Sequence, residues 1–291
     1  MSWKPLVSAI IPTFNRREMV SRAIESVLEQ SYTNLELIVI DDGSSDGTRE
    51  RIQKYSDDER FHYYSQENKG QSAARNFGIS KSQGEYIALL DSDNYWLRDK
   101  LEKQIEFLRN KEDCDVLFSE VFLVNEHGNV LTKMYSQRFS GYILGRLLQA
   151  NFVTNNTVLV KKRCFEEMGG FDEDLRYAED YDLWLRFATR YRFVYHPYEV
   201  TYYCCEGERL SFNEEKVLEA NHRILTRFFQ MFPQSVTTRE KNHAWSRFYK
   251  WQIESKLNSG KKPSVNDLVK VVSLNPSNIQ NWRLLAKSIL R

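Results

Sequence analysis

The sequence predicts an α/β fold with a mostly parallel central sheet, a second half of mixed strand order and a C-terminal helical extension. Three observations predict it. Short β-branched apolar runs alternate with segments whose apolar residues recur every four positions, that alternation fails after Asp99, and beyond Phe212 only helical spacing remains. The expected boundaries are residues 1–205 for the α/β domain, divided at residue 98, and 206–291 for the helices.

Leu6 to Ile11 is an apolar run closed by Pro12, a first buried strand ending in the loop Thr13-Phe14-Asn15-Arg16. Met19/Val20, Ala23/Ile24 and Val27/Leu28 make one stripe of a helix that covers the sheet. Leu35 to Ile40 is the second strand, stopped by Asp41-Asp42-Gly43-Ser44-Ser45-Asp46-Gly47, a run of turn residues that reads only as a loop. A helix from Thr48 to Tyr55, a more exposed strand from Phe61 to Tyr64 and a helix from Gly70 to Ser80 follow. Tyr86 to Leu90 is apolar throughout, as a central parallel strand covered on both faces must be. Its carboxyl end carries Asp91-Ser92-Asp93. Right-handed crossovers gather that loop and those after the first two strands on one sheet edge, where ligands bind.

Beyond Asp99 a helix turns Leu101, Ile105 and Leu108 inward, and Val116 to Val124 enters a hairpin at Glu126-His127-Gly128-Asn129. A helix is expected over Tyr142 to Ala150, a strand over Thr157 to Val160, and a short helix from Cys164 to Met168 stopped by Gly169-Gly170. Ala178-Glu179-Asp180-Tyr181-Asp182 opens another helix, and the macrodipole alone favours acids in such a first turn. In the tail, Trp245, Phe248, Trp251 and Ile253 give a broad apolar stripe, with Pro263 and Pro276 marking breaks.

Charges of both signs are interspersed to a net +1, and the longest basic cluster is Lys161-Lys162-Arg163, so no field draws the chain to nucleic acid. Cys114, Cys164, Cys204 and Cys205 lack zinc spacing, and adjacent cysteines strain a bridge. Reduced thiols in a cytoplasmic protein are expected. No stretch of about 18 apolar residues occurs, and the first apolar run is too short for a signal or a span. The loop after the first strand has no glycine, against a nucleotidyltransferase, and no G-x-G-x-x-G supports a dinucleotide oxidoreductase. Asp91 and Asp93, one residue apart, repel unless a cation lies beside them, and a hard divalent metal carrying a diphosphate suits the place. Helix capping or an Asx turn explains the same triplet without a ligand.

Taken together and in order, VSAIIPTFNR, LELIVIDDGSSDGT, ENKGQSAARNFGI, GEYIALLDSDN and MGGFDEDLRYAEDYDLWLR resemble the family-2 glycosyltransferases of the GT-A fold, over roughly residues 6 to 190. The resemblance implies a nucleotide-binding half (1–98), an acceptor half (99–205), and inverting, metal-dependent transfer of a sugar from a nucleoside-diphosphate sugar, UDP-linked by preference, to a hydroxyl. On the matching positions, Pro12, Thr13, Phe14 and Asn15 line the base, with Phe14 stacking on it. Asp42 accepts from the base's ring N–H, and Arg75 lies near the diphosphate. Asp91, with Ser92, reaches the ribose directly or through water. Asp93 ligates Mn2+ or Mg2+, with Asp91 as a second metal contact.

The resemblance makes Asp180 the base that takes the acceptor's proton. Glu179 holds the acceptor, or is itself the base if the helix starts one residue differently; Asp182 is structural. Many relatives carry Tyr-Arg-x-His after the last core strand, where this chain has Tyr202-Tyr203-Cys204-Cys205-Glu206, so the third metal contact is open. His196, before Pro197 at a strand end, is expected to be a packed or an exposed residue rather than a ligand. A glycan or lipid-linked glycan acceptor, a role in surface polysaccharide assembly, and peripheral contact with the inner membrane face through the C-terminal helices complete the implied picture. The competing expectation is a catalytically silent nucleotide-sugar or glycan-binding module, which binds without turnover.

Overall fold

Four parallel strands, β1 (Val7–Thr13), β2 (Leu35–Asp41), β3 (Phe61–Ser65) and β4 (Tyr86–Leu89), lie in the order β3-β2-β1-β4, linked by α1 (Arg17–Leu28), α2 (Thr48–Ile52) and α3 (Gln71–Lys81). The computed structural model describes residues 3–111, 113–134, 137–205 and 213–289. α1 has no capping side chain, a loss of about 1 kcal/mol, but it buries Val20, Ala23, Ile24 and Val27 against the sheet. At about 1.5–3 kcal/mol for each large side chain, that stripe decides the helix.

Pro12 does not close the first strand, as expected from the sequence, but lies inside it opposite Ile40. The Thr13 carbonyl accepts from Asp42 N–H, so residue 13 bonds toward β2 and Pro12's missing N–H faces β4. There the ladder has already ended, at Leu90 N–H on the Ile10 carbonyl. α3 sits close on β1 and β2 because Gly78 has no side chain: a Cβ there would fall 2.5 Å from Ile10 Cγ2.

The second half is mixed. β5 (Tyr95–Trp96) and α4 (Lys100–Leu108) precede β6 (Val116–Val124), which forms a hairpin with β7 (Val130–Met134). The helix expected over 142–150 is one turn, α5 (Leu144–Leu147), and the next strand, β8 (Leu159–Lys161), follows a 3-10 turn at Asn155–Thr157. α6 (Arg163–Met168), α7 (Glu179–Ala188) and the long β9 (Phe193–Cys204) complete the sheet, in the order β3-β2-β1-β4-β8-β6-β9-β5. β8 is antiparallel to both β4 and β6, which is where parallel order ends.

Phe118 pairs with Tyr195 and Glu120 with Glu199, so His196, Pro197 and Tyr198 face the single residue Ser119. This bulge accommodates the proline. It also buries His196 with Nδ1 3.0 Å from Ser119 Oγ, which decides between the packed and the exposed place that the sequence left open. Ser119 Oγ accepts from Gln104 Nε2, whose Oε1 accepts from the fully buried Lys100 Nζ at 2.7 Å.

Two compact units result, Met1–Ile143 with Phe152–Glu208, and Leu144–Asn151 with Arg209–Arg291. The second holds α8 (Glu214–Met231), α9 (Thr238–Asn258), α10 (Val265–Leu274) and α11 (Ile279–Ile289). Thr237 with Glu240 and Ser264 with Asp267 form capping boxes, and Pro263 and Pro276 fall between helices. Ile253, Leu268 and Val271 form its core. Among the described residues, no helix is long and apolar enough to cross a membrane.

Candidate active site

Asp91 emerges where β4 runs out and is held from three sides. Its N–H donates to Asn156 Oδ1 at 2.6 Å, Asn156 Nδ2 returns a bond to Asp91 Oδ2 at 2.9 Å, and Arg75 Nη2 donates to Oδ1 at 2.7 Å. Asn156 is itself fixed, because its carbonyl accepts from Trp96 Nε1 and Thr201 Oγ1.

Arg75 lies on α3 and is 2% exposed. Its other terminal nitrogen donates to Glu179 Oε1 at 2.6 Å, while Nε has no partner. Burial pulls its pKa down, yet the Asp91 and Glu179 charges together outweigh burial and hold the guanidinium protonated. Removing one member of such a buried set costs about 3–5 kcal/mol, since the others are left uncompensated.

The same face of α3 grips the segment before α7. Gln71 Nε2 donates to Glu179 Oε1 (2.8 Å), Ser72 Oγ to the Leu175 carbonyl (3.2 Å), and Asn76 exchanges two bonds with the Phe171 backbone (2.8 and 2.9 Å). Gly170 permits the approach, because a Cβ there would lie 2.1 Å from Asn76 Oδ1. Arg186 closes the other side: it pairs with Asp182 at 2.8 Å and donates to the Met168 and Gly170 carbonyls. Asp182 thus has the structural place expected of it. Ala178, just before Glu179, is left-handed at φ +54°. Asp180 follows, half-buried, its Oδ1 accepting from Tyr181 N–H at 2.7 Å.

Two loops from β1 and β2 meet on the same edge. Asn15 N–H donates to Ser44 Oγ and Asn15 Oδ1 accepts from Ser45 N–H, both at 2.9 Å. Phe14 projects from this pair 45% exposed, while Thr13 Oγ1 is buried without a partner. Asp42 is 3% exposed, and its two oxygens accept from Gln66 Nε2 (2.7 Å), Lys69 N–H (2.9 Å) and Gly70 N–H (2.8 Å). It therefore supplies the negative charge that the uncapped start of α3 lacks. Ser92 is buried. Asp93 is half-buried and accepts from Asn94 Nδ2, whose Oδ1 accepts from Cys204 N–H. The Cys204-Cys205 end of β9 thus lies beside the Asp93 loop, with Cys204 Sγ 3.0 Å from Arg22 Nη2.

Residues 8–168, over half of the chain, match the sequence profile described as Glycosyl transferase family 2. This chain belongs to that family. An uncharacterized glycosyltransferase of Rickettsia bellii (strain RML369-C) is 38% identical over 186 residues, 63% of this chain and 26% of that protein. A protein of Bacillus subtilis (strain 168) named for teichuronic acid biosynthesis, the glycosyltransferase TuaG, is 45% identical over 134 residues, 45% of this chain and 53% of that protein. The family 2 chain thus spans between a quarter and about half of the length of these relatives. Among solved structures, S. aureus TarS 1-349 aligns with a TM-score of 0.69 at 18% identity, over 93% of this chain and 81% of that one. Mannosyltransferase PcManGT from Pyrobaculum calidifontis, in complex with GDP-Man and Mn2+, aligns at 0.61 and 18%, over 99% and 87%. At such identity the likeness is one of fold, and it makes this family 2 member a GT-A protein.

Of the residues singled out by sequence, the fold of the family 2 domain joins Asp91, Arg75 and Glu179 in one hydrogen-bonded chain with Asp180 next along α7. It ties Asp42 to the start of α3, and Asn15 to the loop after β2. Sequence reasoning missed Asn156, Gln71 and Asn76. The last two stand in a quoted motif, Gln71 four residues before Arg75 and Asn76 four after Ser72, so the helical period would have placed them on the face that Arg75 and Ser72 share. Asn156 leaves no local signal, since its partner is 65 residues away.

Proposed function

We propose that this family 2 member is an inverting, metal-dependent glycosyltransferase that moves a sugar from a nucleoside-diphosphate sugar to a hydroxyl acceptor. The observation that carries the proposal is the continuous link from Asp91 through Arg75 to Glu179, which joins a carboxylate-rich strand end to a second acidic group at the start of α7. Among the described residues, no three His, Cys, Asp or Glu side chains converge as a metal cage. Asp91 and Asp93 therefore fit a cation that takes one or two carboxylates and completes its shell with phosphate oxygens and water, the habit of Mg2+ and a common one for Mn2+. Asp93, the last acid of the triplet, is assigned as the direct ligand, while Asp91 is held by Arg75 and Asn156. Asp91 is assigned, with Ser92, to the ribose, and only secondarily to the cation.

When bound there, a divalent cation supplies charge neutralisation to the departing diphosphate. Asp180 takes the proton from the acceptor hydroxyl as its oxygen attacks the anomeric carbon, a contribution of typically ~10²–10⁴-fold. Attack and departure on opposite faces invert the configuration. Glu179, fixed by Arg75 and Gln71, is assigned to the acceptor side. Phe14 stacks on the base above Pro12, Thr13 and Asn15. Asp42, with three donors already, serves the base by fixing the turn from Gln66 to Gly70.

A UDP-sugar donor is supported by the TarS complex with UDP-GlcNAc, aligned at a TM-score of 0.67, and GDP-Man in PcManGT is the arm to run against it. The name of TuaG supports surface polysaccharide assembly with a glycan or lipid-linked acceptor. Val265, Val269, Ile279 and Trp282, all about half exposed or more on α10 and α11, support peripheral membrane contact.

The test is nucleotide release from a panel of UDP- and GDP-sugars with Mn2+ or Mg2+ and varied acceptors. Asp93→Asn loses metal-dependent donor binding, whereas Asp180→Asn keeps it and loses turnover. Full turnover in Asp180→Asn moves the base elsewhere. Donor binding with no release from any sugar selects the silent binding module, the alternative that the Cys204-Cys205 departure leaves open.

A further inference from the structure

We infer that Arg75 is a positioning residue rather than a diphosphate contact: its guanidinium sets the separation between the donor end of the site, through Asp91, and the base-bearing end, through Glu179. The inference rests on the functional assignment above. Both terminal nitrogens are engaged, at 2.7 and 2.6 Å, and the side chain is 2% exposed, which leaves no open face for a phosphate. The two partners lie 16 and 104 residues away along the chain, one after β4 and one opening α7. A planar fork of fixed geometry holds two carboxylates at a set spacing, whereas a lysine's single ammonium satisfies one or the other.

The rest of the α3 face acts in the same direction. Gln71, one turn before Arg75, donates to the same Glu179 oxygen, and Ser72 and Asn76 fasten residues 171–175. Asp42, by holding Gly70 N–H, ties the start of that helix to the carboxyl end of β2. α3 is thereby anchored at the donor edge while its side chains carry the segment that leads to Asp180. A displacement of about 1 Å between the two ends is enough to cost on the order of 100-fold in turnover.

The experiment compares the full chain with Arg75→Lys and Arg75→Met, using UDP with Mn2+ as the binding probe and nucleotide release as the reaction. A positioning role predicts a fall of about 100-fold in kcat for both variants, with UDP affinity and donor KM within about threefold of the parent. A rise in the UDP dissociation constant that accounts for the whole loss of activity, or near-full activity in Arg75→Lys, overturns the inference.

A ligand-free arm separates this from the functional assignment. In urea unfolding, Asp91→Asn and Glu179→Gln are expected to be non-additive, by tenfold or more in the unfolding constant, while Arg75 is present, and additive in Arg75→Lys. Additivity with Arg75 present overturns the inference whatever the reaction proves to be. Intact coupling without any UDP binding sinks the functional assignment instead. Should Arg75→Met fail to fold, the parent-background pair still decides.

Discussion

Asn156 and Asp91 are hydrogen-bonded to each other twice, backbone N–H to side-chain oxygen at 2.6 Å and side-chain amide to carboxylate at 2.9 Å. The pair fixes both where the strand end turns and where its carboxylate points. Asn156→Asp sets a like charge against Asp91 and is expected to weaken UDP binding with Mn2+ more than Asn156→Ala does. Asn156→Ala is expected to destabilise by about 1–3 kcal/mol through the unpaired Asp91 N–H. Calorimetry and urea melts check the two effects separately.

Gly170→Ala forces Asn76 Oδ1 away from the Phe171 N–H that it accepts. The expected loss is about 1–3 kcal/mol in denaturant melts. Because the damage runs through one side chain, adding Gly170→Ala to Asn76→Ala is expected to cost little more than Asn76→Ala alone. Simple additivity of the two losses contradicts this.

Ala178 holds a left-handed conformation immediately before Glu179, at a cost of roughly 1–2 kcal/mol for a residue with a Cβ. Ala178→Gly removes that strain and is expected to raise stability by up to about 1 kcal/mol. Turnover is expected to fall with unchanged UDP affinity, since the lead-in to Asp180 loosens. A thermal melt and a kcat measurement on one preparation suffice.

The buried Lys100, Gln104, Ser119 and His196 make stability depend on acid. Burial lowers the Lys100 pKa well below 10.5, and burial first, then Lys100 and Lys103, lower His196 to about 4. Both groups bind protons more readily in the unfolded chain, so each contributes stability that is complete above its unfolded pKa and is lost as pH falls. For His196 the window runs from 6.5 down to about 4. For Lys100 it opens already below 10.5, with a slope of at most about 1.4 kcal/mol per pH unit. The double variant Lys100→Met/Gln104→Met is expected to flatten the upper window, and to be more stable than the parent at pH 7 than at pH 10. Urea midpoints across pH 5–10 test it.

The elements of the first half were readable from the chain, because apolar period and Gly, Asp and Pro turn chemistry are local properties. β2 and α1 fall where their spacing puts them. Pro12 misled, since whether a proline ends a strand depends on which neighbour its absent N–H faces, and that is set by how far β4 runs. The helix expected over 142–150 shrank to one turn, and the two-residue β5 and the bulge in β9 exist only through their partners. Within the site, Asp91 and Glu179 were visible as acids in motifs. That one buried arginine joins them was not.

By itself, the order of residues determined the succession of strands and helices, the edge on which the loops gather, and membership of the family, since each is written in spacing a few residues long. Only the tertiary structure decided that β8 lies between β4 and β6, that Asn156 holds Asp91, and that Arg75 faces inward to two carboxylates instead of outward to solvent. Such pairings span 16 to 104 residues and are selected by the cost of burying a charge without a partner, a quantity defined only once the chain has closed around it.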